Sequence, residues 1–103
     1  MAQKVIAGVT VDVNEEGYMT NPLQWTKEIA FEIAKEEGLE LTEKHLAIIA
    51  FLREKQQKGE TLTIRAVGNS GIVDIKGFYG LFPGAPMKKA ARIAGIPKPA
   101  SCV

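Results

Sequence analysis

Apolar and polar residues alternate loosely at the start of the chain. Residues 3–13, QKVIAGVTVDV, are rich in β-branched residues, which favour an extended backbone. The next six residues, NEEGYM, include Gly17, which suits the left-handed backbone that many turns require. We therefore predict a small N-terminal hairpin in which residues 14–19 supply the turn and the returning strand.

A helical pattern begins near residue 21. Asn21 is a suitable N-cap, Pro22 fits the first helical position, and Gly38 is a typical helix terminator. Between them, apolar residues recur at the spacing of one helix face. This stripe consists of Trp25, Ile29, Ala30, Ile33 and Ala34.

A second helix is indicated from Thr42 to Gly59. Thr42 is a suitable N-cap, Glu43 complements the positive end of the helix dipole, and Gly59 stops the pattern. Residues 46–52, LAIIAFL, are apolar nearly all round. We therefore expect this helix to be the buried centre of the fold.

The pattern weakens after residue 60. Residues 61–68 fit either a short helix capped by Thr61 or a strand, and residues 73–82 fit a short helix interrupted by glycines. Residues 83–95 predict a clearer helix, with Pro86 near its start and Gly95 at its end. After it, Pro97 and Pro99 favour an extended backbone over a helix.

Composition is that of one ordinary globular domain. Of the 103 residues, 46% are hydrophobic and 24% are charged, which argues against general disorder. A single cysteine cannot form an internal disulfide, so we expect a reducing, cytoplasmic setting. We find no secretory signal pattern at the start, and the longest apolar run, residues 46–52, is too short to span a bilayer.

Charge is distributed unevenly along the chain. Residues 1–60 hold eleven acidic and seven basic residues, whereas residues 61–103 hold one acidic and six basic residues. Two interpretations stay open. The basic half attracts an anionic partner, or its charges are ordinary solvated surface charges.

The only cysteine, Cys102, follows the proline-rich stretch. It is either incidental or a reactive thiol carried on an arm, since residues 97–103 extend to about 20 Å at roughly 3.1 Å per residue. The carboxylate of Val103 opposes formation of the thiolate. We therefore expect activation inside a partner protein, as in a carrier, rather than autonomous catalysis.

Other chemistry has little support in the sequence. His45 is interpreted as a structural or capping residue, and one cysteine with one histidine does not favour a metal site. The glycines match no nucleotide-binding spacing, so we expect no cofactor. The aromatic residues are expected in the core; they are Trp25, Phe78, Tyr79 and Phe82.

A nucleic-acid binder of the helix-turn-helix type is a second hypothesis. The helix 46–52 is too apolar to face a nucleic-acid groove. Only the helix at residues 86–94, with Lys88, Lys89 and Arg92, offers suitable charge, and we expect no direct nucleic-acid binding.

Several motifs of the chain are distinctive: EEGYM, EEGLELTEKH, FLR and, above all, YGLFPGAPMKKAARIAGIPKPASCV at the end of the sequence. They resemble the DsrC/TusE family of small sulfur-carrier proteins, the gamma-subunit-like family of dissimilatory sulfite reductase. The resemblance implies a mainly α, small orthogonal helical bundle at residues 1–95. It adds an N-terminal β-hairpin and a flexible C-terminal arm at residues 96–103.

The resemblance also implies a function. Cys102 would carry a persulfide between a sulfur-donor and a sulfur-acceptor protein, in a TusE-like relay toward tRNA 2-thiouridine formation. It implies a protein substrate of sulfur transfer rather than an autonomous enzyme. Arg65, Lys88 and Arg92 match basic positions of the family; they are candidates for favouring an anionic persulfide or the terminal carboxylate, or they are ordinary exposed surface charges. Lys98, between the two prolines, is a candidate for guiding docking.

The chain departs from the family pattern at informative positions. DsrC proteins proper have a second cysteine eleven residues before the last one, where this chain has Ala91. An internal disulfide is therefore impossible, which weakens a full sulfite-reductase role. Leu46 and Ala85 also replace usual tryptophan and glycine residues. The alternative of a DsrC-like partner or regulator of dissimilatory sulfite reductase stays open.

Overall fold

The computed structural model describes residues 2–60 and 62–97 of the chain. It begins with an antiparallel hairpin of β1, Ala2–Ile6, and β2, Val9–Val13. The turn between them is Ala7–Gly8, and both residues have a left-handed backbone, with φ of 53° and 79°. Two consecutive positive φ angles are typical of the tight turn whose twist matches that of paired strands.

The predicted position of the hairpin turn, residues 14–19, is therefore wrong. That segment makes a second turn, in which the Asn14 side chain accepts bonds from the backbone N–H groups of Glu16 and Tyr18. Gly17 has the expected left-handed backbone, with φ of 87°. The return is limited to one bridge between Val13 and Met19. An Ala-Gly turn is a weak sequence signal, which explains the error.

The first predicted helix is divided in two. Asn21 caps a 3₁₀ turn, Pro22–Gln24, and α1, Lys27–Glu36, begins only after a new N-cap at Thr26. Trp25 between them is extended. Four residues of the predicted stripe bury one face of α1; they are Ile29, Ala30, Ile33 and Ala34.

Helix α2, Glu43–Gln57, has the predicted cap and end, but it is not the buried centre of the fold. Its Ile48, Ile49 and Leu52 are buried, whereas Ala47 and Ala50 are exposed. The central element is α5, Pro86–Ile93, which packs against α1, α2 and α4. Both alanines of the run lie on the exposed face of α2, so the apolar run overstated the burial of the helix.

The ambiguous third segment is helical. Helix α3, Ile64–Gly68, is capped by Thr63, and the predicted cap Thr61 lies outside the described residues. Helix α4, Ile75–Leu81, is capped by Asp74 and packs against α3.

The prediction of a mainly α domain with an N-terminal hairpin is confirmed. The core has 22 buried hydrophobic residues drawn from the hairpin and all five helices of the described chain. Phe78 and Phe82 lie in it as expected, but Tyr79 is exposed. Ile96 is fully buried, so packing continues past residue 95. Within the described residues, no helix is both long and apolar enough to cross a membrane.

Candidate functional site at the end of helix α5

The end of α5 immediately precedes the segment that carries the predicted thiol, and the chain is described as far as Pro97. Gly95 adopts a left-handed backbone, with φ of 67°, and its N–H donates to the carbonyl of Arg92 at 3.2 Å. The N–H of Ile96 donates to the carbonyl of Ala91 at 3.2 Å. These two bonds form a Schellman motif, which terminates the helix.

Two side chains from distant parts of the chain bind the remaining carbonyls. The indole Nε1–H of Trp25 donates to the carbonyl of Ile93 at 2.9 Å. The guanidinium of Arg53 donates to the carbonyls of Ala94, at 2.7 Å, and Pro22, at 3.0 Å. We call Trp25 and Arg53 the exit clamp, because together they fix the point at which the chain leaves α5.

The exit clamp is closely packed. The guanidinium carbon of Arg53 lies 4.2 Å from the ring centroid of Trp25, within the range of a cation–π contact. A Cβ added at Gly95 would lie 2.7 Å from Cγ and 2.8 Å from Cβ of Trp25. Glycine is therefore required at residue 95 both by the left-handed backbone and by the space beside the indole.

Partial burial leaves the charge of Arg53 poorly solvated. Burial lowers the pKa of its guanidinium below the ordinary value, because the charged form loses solvation. Its two hydrogen bonds go to backbone carbonyls, and no carboxylate of residues 2–60 or 62–97 forms an ion pair with it. Among the described residues, the exit clamp therefore presents a positive charge without a carboxylate partner beside the end of α5.

The predicted site residues are distributed over three parts of the chain. Cys102 and Lys98 lie outside the described residues. Lys88 and Arg92 share one face of α5, four residues apart, and both are half-buried. Arg65 is exposed on α3, which packs on α4.

Arg92 is engaged in a structural contact. Its Nη1 donates to Oε1 of Glu37 at 2.6 Å, and its guanidinium carbon lies 5.2 Å from the ring centroid of Tyr18. The ion pair joins α5 to the end of α1. The Arg92 charge is consequently balanced by a carboxylate, unlike that of Arg53.

His45 is a capping residue, as expected. The Thr42 N–H donates to Nδ1 at 3.1 Å, so in the neutral ring Nε2 carries the proton and donates to the carbonyl of Leu81 at 2.8 Å. Its ring packs edge-on against Phe82. Both ring nitrogens are thus used in joining the start of α2 to the end of α4.

The helix predicted as a nucleic-acid reader is largely buried. Five of the eight residues of α5 are in the core; they are Pro86, Met87, Ala90, Ala91 and Ile93. A helix enters a major groove with an exposed face, so the burial of α5 argues against the helix-turn-helix hypothesis. Ala91, at the position of the second DsrC cysteine, is one of these buried residues.

Sequence reasoning noted Trp25 and the FLR motif but missed the exit clamp. The sequence signal for the exit clamp was the position of Arg53 directly after the apolar run 46–52. An arginine at the edge of the core can donate hydrogen bonds to backbone carbonyls there. Its acceptors are 31 and 41 residues away in sequence, so their identity needs the tertiary structure. In the described ranges, no group of three or more His, Cys, Asp or Glu side chains is placed to hold a metal ion.

Comparison with known proteins gives a consistent result. The model of the family described as DsrC-like protein matches residues 5–103. The sulfurtransferase TusE of Photorhabdus laumondii is 34% identical, and the match covers 100% of both chains.

Two solved structures share the fold. The NMR structure of Allochromatium vinosum DsrC is 38% identical, with a TM-score of 0.80 and coverage of 98% of this chain and 97% of that one. The oxidized gamma-subunit of the dissimilatory sulfite reductase from Archaeoglobus fulgidus is 32% identical, with a TM-score of 0.78 and coverage of 99% and 100%.

Proposed function

The chain belongs to the DsrC-like protein family, and on that premise we propose that it carries persulfide sulfur on Cys102. The likeness to a TusE sulfurtransferase over the whole of both chains carries this proposal. Cys102 is the only cysteine, so the carried sulfur has a single thiol to occupy.

The proposed chemistry is a sulfur exchange. The Cys102 thiolate attacks the outer sulfur of a donor persulfide, a new S–S bond forms, and the donor leaves as a thiolate. A second exchange of the same kind passes the sulfur to an acceptor thiolate. Neither step changes the total oxidation state, so the exchange requires no redox cofactor. The chain acts as a protein substrate of its partners rather than as an autonomous enzyme.

Residues 96–103 form the carrier arm in this proposal, and residues 1–95 form the domain that presents it. Ile96 is buried and supplies an anchor. Beyond Pro97, six residues extend at most about 20 Å, at roughly 3.3 Å per residue. This reach allows Cys102 to enter the active site of another protein while the domain stays at its surface.

The basic residues have different parts in the proposal. Arg65 and Lys88 provide a favourable field for an anionic persulfide, and Lys98 guides docking of the arm. Arg92 contributes less, because Glu37 balances its charge. The partners are a sulfur donor and a sulfur acceptor in a TusE-like relay toward tRNA 2-thiouridine formation. The setting is the cytoplasm, where a lone thiol stays reduced.

Intact-mass spectrometry tests this function. After incubation with glutathione persulfide and removal of the donor, the wild-type chain should gain the mass of one sulfur atom. The Cys102→Ser variant should gain none, because a hydroxyl does not form a persulfide. Equal uptake by both proteins, or uptake by neither, would contradict the proposal.

A DsrC-like association with dissimilatory sulfite reductase is the second candidate. The likeness to the Archaeoglobus fulgidus gamma-subunit favours it. Ala91 limits it, since this chain lacks the second thiol for an internal disulfide. Co-elution with a purified dissimilatory sulfite reductase in size-exclusion chromatography would support this candidate, and separate elution would remove it.

A further inference from the structure

An open groove lies beside the point at which the chain leaves α5. We call it the exit groove, and its volume is about 330 Å³. The 3₁₀ turn, the last turns of α2 and the residue before Pro97 form its walls. The lining residues are Asn21, Pro22, Leu23, Arg53, Gln56, Gln57 and Ile96.

The exit groove combines one uncompensated cation with an apolar wall. Arg53 is half-buried, and its charge has no carboxylate partner in the described chain. Leu23 is 92% exposed, the most exposed large hydrophobic side chain of the described residues. An acidic group would regain for Arg53 the favourable electrostatic energy lost on burial, and an apolar neighbour would cover Leu23.

The two main candidates for filling the exit groove, the chain's own residues 98–103 and a segment of a partner protein, differ in charge. Residues 98–103, KPASCV, carry one cationic side chain, Lys98, against the carboxylate of Val103, so their net charge is zero and they complement Arg53 less well than an acidic segment does. A protein that exchanges sulfur with Cys102 must come within about 20 Å of Pro97, given the reach of six residues. Such a protein therefore comes near the exit groove, whose wall includes Ile96.

We propose that the exit groove binds an acidic, leucine-containing segment of the protein that exchanges sulfur with Cys102. This inference rests on the proposed function for the identity of the partner. The binding itself is a property of the described domain. Arg53 pairs with a carboxylate of the partner, and Leu23 packs on an apolar side chain beside it.

NMR titration of the full chain tests the binding with a defined probe. The probe is the end-blocked tetrapeptide Glu-Leu-Leu-Glu, and its matched control is Gln-Leu-Leu-Gln. The acidic peptide should shift amide signals of the groove residues and bind at least about fivefold more tightly than the amide peptide, which corresponds to roughly 1 kcal/mol. Absence of shifts at millimolar peptide, shifts elsewhere, or equal affinities would overturn the proposal.

Two variants locate the interaction. Leu23→Ser should weaken binding of the acidic peptide about fivefold, because it removes an exposed apolar contact of roughly 1 kcal/mol. Val5→Ser removes another well-exposed apolar side chain, on β1 outside the groove, and should leave the affinity unchanged. Equal effects of the two changes would contradict the assignment.

The other occupants give distinct signals in the free protein. Nuclear Overhauser contacts between residues 98–103 and Leu23 would show that the chain fills its own groove. A dimer in sedimentation that dissociates on adding the acidic peptide would show a second copy there. Either result would overturn the proposal.

Peptides that carry a persulfide test whether binding in the exit groove speeds sulfur transfer to Cys102. Each peptide is extended with a cysteine persulfide, and the rate of sulfur uptake by Cys102 is measured. The acidic peptide should load Cys102 faster by about the factor found for its affinity. Equal rates would overturn the role of the groove in exchange. Loading by neither peptide, with binding intact, would contradict the proposed function but not the groove.

Discussion

The ends of α2 and α5 share one local design but differ in their surroundings. Gly59 and Gly95 follow the two helices with φ of 75° and 67°. In both, the residue after the glycine donates to the carbonyl five residues earlier, at 3.0 and 3.2 Å. The backbone terminates both helices in the same Schellman motif.

Tertiary contacts distinguish the two ends. The end of α2 is exposed, and its ion pairs, Lys58 with Glu54 and Lys55 with Glu60, are local. The end of α5 is bound by the exit clamp, whose members come from elsewhere in the chain. A local motif suffices to end a helix, whereas distant contacts also fix the direction in which the following chain leaves it.

The largest difference between the two helix ends is expected in the free energy of unfolding when Gly59 or Gly95 is replaced by alanine. Gly95→Ala forces a Cβ against the Trp25 indole at a left-handed backbone and should cost about 3 kcal/mol or more. Gly59→Ala meets nothing within 4 Å and should cost only about 1 kcal/mol. Urea unfolding measures both free energies. Equal losses would show that the packing beside Gly95 is unimportant.

Removing the cation at each helix end, Arg53 at the end of α5 and Lys58 at the end of α2, should lower the stability by smaller and unequal amounts. Arg53→Met leaves the carbonyls of Ala94 and Pro22 without their charged donor and should cost about 2 kcal/mol. Lys58→Met is the matched control and should leave Tm unchanged within error, because Lys58 lies at the exposed end of α2. Calorimetry measures both, and a similar Tm for the two variants would contradict a clamping role for Arg53.

The smallest change in Tm is expected from replacing Glu54, which forms the exposed ion pair with Lys58. The hydrogen bond and charge of Lys58 lower the pKa of Glu54. Any stabilisation is therefore present above the carboxyl's unfolded-state pKa and is lost as pH falls through the lower folded-state pKa. Solvent screens this fully exposed pair, so Glu54→Gln should not change Tm measurably at neutral pH. A clear fall in Tm would show that the end of α2 is more ordered than its exposure indicates.

Local sequence signals predicted most of the helices. The N-caps at Asn21 and Thr42 and the stops at Gly38, Gly59 and Gly95 act over a few residues, and all are found. The break at Trp25 was not predicted, although Thr26, the N-cap of α1, is a local signal. The bond from the Trp25 indole to Ile93, 68 residues away, depends on the tertiary structure. The position of the hairpin turn was missed because Ala7–Gly8 has no strong turn signature.

The candidate site was only partly accessible from sequence. Motif resemblance identified Cys102 and the basic residues as candidates, and their roles stay predictions. It did not distinguish the charge of Arg92, which pairs with Glu37, from that of Arg53, which has no carboxylate partner among the described residues. That distinction depends on which side chains from separate helices meet, and residue types alone do not specify it.

Sulfur exchange between two copies of the chain tests the central claim most directly. Wild-type protein loaded with persulfide and freed of donor is mixed with unloaded, ¹⁵N-labelled wild type and a catalytic amount of a sulfur-exchange partner protein, which activates the thiol, and intact masses are followed with time. A carrier that accepts and donates through Cys102 should distribute the sulfur equally between the two isotopic forms. Sulfur that stays on the original copies, or is lost without appearing on the labelled ones, would contradict the account.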